Sequence, residues 1–250
     1  MLIHPFRRMC AAIVAALASL IGLSACAERH ASNSVPGQTI SFKGQNGVDL
    51  EGTLTLPSTN PNGKAPAVLL IQGSGPTDRN GNQLPFVRTD LLAQLATDLT
   101  ARGYVTLRYD KRGMKAGRLT LPRDPVELKN FVAWSNFVGD ARYALNYLAQ
   151  NPNVDPKRIY VIGHSEGGLI TLDLVQDRTL PIKGAVILAT PARPAQVLVR
   201  EQVSNLMREQ GAGAAQIATT LAAMARLDNA IFATGNVPED VPRELGPLYE

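Results

Sequence analysis

Apolar residues in this chain fall into short unbroken runs, and between those runs they recur with helical spacing. Gln38 to Lys43 and Val48 to Leu56 favour strand. Gly44-Gln45-Asn46-Gly47 lies between them, and Asn-Gly in that position predicts a hairpin. A turn cluster runs from Pro57 to Pro66. Ala67-Val68-Leu69-Leu70-Ile71 is apolar throughout, as expected of a strand covered on both faces in a parallel sheet. Tyr104 to Tyr109, Arg158 to Gly163 and Lys183 to Ala189 are predicted as further strands. A helix capped by Thr89 is predicted to run to Arg102, with Leu92, Leu95, Ala96 and Leu99 on one face. A second spans Phe131 to Gln150, lined by Phe137, Ala141, Ala144, Leu145 and Leu148. A third covers Gly167 to Val175. This alternation predicts the α/β class, with a mostly parallel sheet flanked by helices.

From Ala195 the strand pattern stops. Val199, Val203, Leu206 and Met207 mark one amphipathic helix, and Gln216 to Phe232 marks another. The expected division is a core over residues 38–194 with six strands, then a helical lid over residues 195–250.

The first residues read as an export signal, residues 1–25. Arg7 and Arg8 supply the positive start, and nothing from Met9 to Ala25 is charged. That run is shorter than the roughly 20 residues a spanning helix needs. Leu23-Ser24-Ala25-Cys26 resembles the bacterial lipobox. The resemblance implies cleavage before Cys26 and a diacylglycerol on its thiol. With Ala27 rather than Asp next, it also implies an outer-membrane address. An ordinary signal peptide cut at a nearby small residue is the alternative. Residues 26–37 show no periodicity and read as a tether.

Composition narrows the choice of function. Hydrophobic residues make up 45% and charged residues 18%, which excludes a disordered polyelectrolyte. The net charge is +4, and removing Arg7 and Arg8 leaves +2 on the body, too little for a nucleic-acid partner. With two cysteines, both in the first 26 residues, and three histidines, no zinc-site spacing exists. Asp78-Arg79-Asn80-Gly81-Asn82 hints at a calcium loop, but Gln83 and Thr89 stand where Gly and a bidentate Glu are needed. A polar turn is the better reading.

Gly163-His164-Ser165-Glu166-Gly167-Gly168 is the stretch that carries chemistry. It places Gly-x-Ser-x-Gly between a predicted strand and a predicted helix. A nucleophilic serine needs a sharp turn of this kind to lift its Oγ clear of the sheet, and a side chain at either glycine would clash. Ser165 is the candidate nucleophile, against the plainer reading of a helix-capping serine. An oxyanion hole needs two N–H donors. One is expected from the backbone of Glu166. The other is expected from the loop Gln72-Gly73-Ser74-Gly75-Pro76, from Ser74 or, failing that, Gly73.

Three segments in order resemble the α/β-hydrolases, in particular their exported, lid-bearing bacterial esterases. They are Gln72 to Gly81, Arg108-Tyr109-Asp110-Lys111-Arg112-Gly113 and Gly163 to Gly168. The likeness covers residues 38 to 250. It implies hydrolysis of a small-molecule carboxylic ester through an acyl-serine, without a cofactor, and a structural role for Asp110 and Arg112. A peptidase or acyltransferase on the same scaffold passes through the same intermediate, and a surface lipoprotein that binds without turnover is the non-enzymatic alternative. The family's triad runs Ser, then Asp or Glu, then His, yet His4, His30 and His164 are the histidines and none follows Ser165. The expectation is therefore a chain that stops before the acid and the histidine. It would be weakly active or inactive, with the apolar strand Lys183 to Ala189 left at a sheet edge. Oligomeric state has no signature here.

Overall fold

The computed structural model describes residues 37–58, 63–85, 87–115 and 117–235. The predicted signal, Cys26, nearly all of the tether and residues 236–250 lie outside them. The described residues fall into two compact units, one ending at Pro191 and the other starting at Ala192.

The first unit is built on a six-stranded sheet. Its strands are β1 (Gln38–Lys43), β2 (Asp49–Thr55), β3 (Ala65–Ile71), β4 (Val105–Tyr109), β7 (Val154–His164) and β8 (Gly184–Leu188), in the order β1-β2-β4-β3-β7-β8. β1 and β2 pair antiparallel, as does β2 with β4, and the remaining pairs are parallel. A separate two-stranded ribbon pairs β5 (Met114–Lys115) with β6 (Arg118–Leu119), short segments without a strand pattern in the sequence. The helices of this unit are α1 (Leu91–Ala101), α2 (Pro125–Phe131), α3 (Trp134–Ala149) and α4 (Glu166–Gln176).

β3 shows why its sequence is apolar without alternation. Leu69 and Ile71 join one buried cluster with Ala141, Leu145, Leu148, Ile170 and Leu174 from α3 and α4. Val68 and Leu70 join another with Leu92 and Ala96 from α1. Both faces of the strand are thus sealed by helices, which is the condition for a continuous hydrophobic run.

The Asn-Gly hairpin is present: β1 and β2 pair antiparallel from Lys43 opposite Asp49 outward, across a short 3₁₀ turn, Gln45–Gly47, in which Asn46 and Gly47 both have positive φ (60° and 75°). Two local expectations are corrected. The Thr89 hydroxyl accepts from the Leu91 N–H at 3.4 Å, but the N-cap position of the first helix is Asp90, in the left-handed region at φ 50° and without a side-chain capping bond. The Asn82 side chain holds it there, donating to Asp90 Oδ1 and accepting from the Thr89 and Asp90 N–H groups. The helix predicted from Phe131 to Gln150 is observed as α3, starting three residues later at Trp134, and a separate short helix, α2, precedes it. Asp124 caps α2 through the Glu127 N–H, and Ala133 at ψ 139° breaks the chain before α3. At the break, the Phe131 carbonyl accepts from Arg112 Nη1 at 2.9 Å and the Asn130 carbonyl from Asn136 Nδ2 at 2.6 Å. Side chains from elsewhere thus occupy acceptors that a continuous helix would use itself.

The second unit contains α5 (Ala195–Glu209) and α6 (Ala214–Thr234). Val203, Met207, Ile217, Met224 and Leu227 are buried between them, and Arg200 pairs with Asp228 at 3.2 Å. In the first unit β8 is the outermost strand among the described residues, and its Val186 and Ile187 are exposed (48% and 39%).

Candidate active site

β3 and β7 lie side by side and parallel, with Ile71 opposite Gly163. Both strands therefore end at the same level, and the loops after them are neighbours. Open α/β sheets place their sites at this end. The sequence-predicted residues Ser74, Ser165 and Glu166 are all in these two loops.

Ser165 sits between β7 and α4 with φ 54° and ψ −119°, a conformation disfavoured for any residue with a side chain. Three backbone contacts hold it. Its N–H donates to the Leu188 carbonyl at 2.8 Å, and its own carbonyl accepts from the Gly168 N–H and from Thr190 Oγ1, both at 3.0 Å. Although Ser165 occupies the N-cap position of α4, its side chain makes no capping hydrogen bond. The hydroxyl is thus not committed to the helix end, in contrast to an ordinary capping serine.

Three glycines make the turn possible. A Cβ on Gly163 would lie 2.2 Å from the Gly167 carbonyl oxygen, and one on Gly167 would lie 2.4 Å from the Ile71 carbonyl oxygen. A Cβ on Gly168 would lie 1.8 Å from Thr190 Oγ1. The first two are collisions with backbone, so strand β7, helix α4 and the end of β3 approach too closely for any side chain. Gly73 is also pressed against the turn, since a Cβ there would meet Ser165 Cβ and His164 Nδ1, each at 3.3 Å. The Gly73-Ser74 loop therefore packs directly on the serine turn.

The Ser74 carbonyl accepts from Thr77 Oγ1 and from Gln83 Nε2, each at 2.6 Å, which fixes the loop from its outer side. Asp78 Oδ1 accepts from the N–H groups of Asn80 and Asn82, so the calcium-like segment is a self-bonded polar turn. His164 is the one histidine among the described residues. It is half-buried, and burial holds its pKa below the ordinary histidine value of 6.5.

Behind the two loops stand three consecutive buried ionic residues. Asp110 accepts from the Arg79 N–H at 2.8 Å and from Arg79 Nε at 3.0 Å, and Arg79 reaches on to the Gly52 carbonyl and Glu51. Arg112 grips Asp140 with two bonds, Nε to Oδ2 at 2.7 Å and Nη2 to Oδ1 at 2.8 Å. Burial raises the Asp140 pKa, and the Arg112 guanidinium opposes that rise. Lys111 donates from Nζ to the Gly73 carbonyl at 2.9 Å and pairs with Glu166 Oε1. Burial pulls its pKa below the usual lysine value, and Glu166 works against that shift. Asp110 holds Arg79 in the segment after β3, and Arg112 ties α3 to the Gln45 turn and to the end of α2. Lys111, Arg79 and Thr190 were given no role from sequence. The available signal was a run of charge immediately after the apolar β4, where a buried strand leads straight into Asp110-Lys111-Arg112.

Residues 88–235 match the family described as "Serine aminopeptidase, S33". The chain is 29% identical over 157 residues to the esterase EstD of Thermotoga maritima, covering 63% of this chain and 34% of that protein. It is 28% identical over 156 residues to a polyketide transferase of Stachybotrys chlorohalonatus, covering 61% and 43%. The chain thus spans less than half the length of either relative. Among solved structures, a hypothetical protein of Pseudomonas aeruginosa superposes with a TM-score of 0.51 at 20% identity, over 82% of this chain and 56% of that one. That likeness is one of fold.

Proposed function

This chain belongs to the serine aminopeptidase S33 family of α/β-hydrolases, and from that membership we propose that it hydrolyses small-molecule carboxylic esters through an acyl-Ser165 intermediate. The observation that carries the reading is the strained, uncapped Ser165 at the turn between β7 and α4, with the Gly73-Ser74 loop packed on it. In this reading Ser165 Oγ attacks the ester carbonyl carbon and gives up its proton to a base. The carbonyl oxygen becomes an oxyanion received by the Ser74 and Glu166 N–H groups. The C–O bond then breaks, the alcohol leaves with a proton, and water releases the acid from the serine. The likeness to an esterase supports this choice of substrate.

No histidine follows Ser165 in these 250 residues. Serine hydrolases stripped of triad members retain roughly 10³–10⁴-fold catalysis over water from the oxyanion hole and binding. These residues by themselves are therefore expected to hydrolyse a short-chain nitrophenyl ester slowly, and to react with a fluorophosphonate at Ser165 in preference to other serines. Peptide mapping tests this. A phosphonylated Ser165 peptide, absent in Ser165→Ala, supports the reading, and modification elsewhere or nowhere overturns it. The family description favours a second reading, a peptidase. Faster cleavage of an aminoacyl nitroanilide than of the matching nitrophenyl ester would establish it.

We further propose that Cys26 carries the lipid that tethers the protein to the cell envelope, on the strength of the Leu23-Ser24-Ala25-Cys26 segment. A fatty-acid analogue supplied to growing cells should label the wild type and not Cys26→Ser. Equal labelling would discard the anchor.

A further inference from the structure

Lys111 touches both of the segments that Ser165 needs. It stands 38 residues from Gly73 and 55 from Glu166 in sequence, and its Nζ donates to the carbonyl of the first and pairs with the carboxylate of the second. Its side chain is 9% exposed, and its ammonium lies 5.0 Å from the centroid of the Phe137 ring.

The partner atom on the loop is telling. The Gly73 carbonyl and the Ser74 N–H are the two ends of one peptide unit. In a planar trans peptide these groups point in opposite directions. A bond from Lys111 to the Gly73 oxygen therefore sets the plane of that peptide and aims the Ser74 N–H the other way. A positive donor on the carbonyl also polarises the unit and strengthens the N–H at its far end. Glu166 is held through its side chain, and its own N–H is the second donor. One ammonium thus grips the two residues whose amides form the proposed oxyanion hole.

Stability is a poor explanation for this arrangement. Burying an ammonium costs free energy that an ion pair only roughly returns, and an apolar side chain of similar volume serves as well or better in such a place. A Met would fill the space beside Phe137. What a Met lacks is the reach to two acceptors on different loops.

We infer that Lys111 is a positioning residue that holds the Gly73-Ser74 peptide and Glu166 in register as an oxyanion hole for Ser165. The inference rests on the Ser165 nucleophile reading. It extends that reading to a residue that does not itself touch substrate.

The test compares wild type, Lys111→Met and Lys111→Cys before and after treatment with bromoethylamine, which rebuilds a lysine-like ammonium on the cysteine. Wild type under the same treatment controls for Cys10 and Cys26. The first readout is fluorophosphonate labelling of Ser165. Loss of one oxyanion-hole donor costs about 10²–10³ in rate, so Lys111→Met is expected to label about 100-fold more slowly. The loss should fall on the maximal rate and not on the half-saturating probe concentration, and aminoethylated Lys111→Cys should recover most of it. The second readout needs no reactivity: amide NMR of the unliganded proteins. Ser74 and Glu166 should shift and broaden in Lys111→Met while amides of β3 and β7 stay in place. Unchanged Ser74 and Glu166 amides overturn the inference, as does unchanged labelling, and as does a loss the rebuilt ammonium fails to restore. A wild type that does not label at Ser165 overturns the nucleophile reading, and the amides then decide the role of Lys111.

Discussion

Replacing Arg112 with Met removes the cation from the most buried ion pair in the first unit. Both side chains of that pair are 2% exposed. Arg112 also donates to the carbonyls of Phe131, Gln45 and Asn136 and lies 5.1 Å from the Phe131 ring centroid. Without it, Asp140 keeps the Gln45 N–H at 2.8 Å. Breaking a buried pair from one side costs about 3–5 kcal/mol, because the surviving charge is left uncompensated. At about 2–4 °C per kcal/mol for a chain of this size, the melting temperature should fall by roughly 6–20 °C. The deficit should depend on pH with a definite sign. Burial already raises the folded-state pKa of Asp140, and loss of Arg112 raises it further. Between the unfolded and folded values the native state holds a proton that the unfolded state has released, so stability falls as pH rises through that window. The penalty relative to wild type is therefore expected to be larger at pH 8 than at pH 4. Adding Asp140→Leu removes the stranded carboxyl, and the double variant should be less destabilised than the sum of the singles, by about 0.5–3 kcal/mol. Urea unfolding of all four proteins at both pH values gives the cycle. A single-variant loss under about 1 kcal/mol, or strict additivity, would refute the account of a desolvated pair.

Gly167→Ala should cost about 3 kcal/mol or more in urea unfolding, because its Cβ meets the Ile71 and Gln72 carbonyl oxygens at 2.4 and 2.6 Å and backbone cannot step aside; a near-neutral result would refute the close approach of α4 to the end of β3. Ser165→Gly should raise stability by about 1 kcal/mol while abolishing fluorophosphonate labelling, since glycine relieves the positive φ at some entropic cost in the unfolded chain. A Ser165→Gly protein that melts lower than wild type would show that the conformation carries little strain. His164→Asn should flatten the acid limb of the stability profile. The folded pKa of His164 lies below 6.5, so the unfolded chain takes up the proton first and stability falls as pH drops through 6.5. Melting temperatures at pH 7.5 and 5 should therefore differ less in the variant than in wild type, and equal differences would reject the assignment.

The class of fold and the turn that carries Ser165 were legible along the chain because each rests on a local signal. Continuous apolar runs such as Ala67 to Ile71 mark strands sealed on both faces, and the observed β3 lies within two residues of that run. Gly163 is likewise a local requirement, since its Cβ would meet the Gly167 carbonyl within the same turn, whereas Gly167 is imposed by the end of β3, whose Ile71 and Gln72 carbonyls its Cβ would strike. What the pattern misjudged was decided by partners distant in sequence. The helix expected from Phe131 starts instead at Trp134, and the Phe131 carbonyl, at the end of α2, is taken by Arg112, 19 residues away. The cap moved from Thr89 to Asp90 because Asn82 bonds the segment from outside the helix. Lys111 was invisible as a positioning residue for the same reason. Its place in a charge run directly after a buried strand hints at burial but not at its partners, and its acceptors lie on two other loops. Hydrophobic spacing determines which face of an element is covered. Which ionic side chains are then enclosed, and which backbone groups they hold, depends on chain ends brought together only when β3, β4 and β7 assemble side by side.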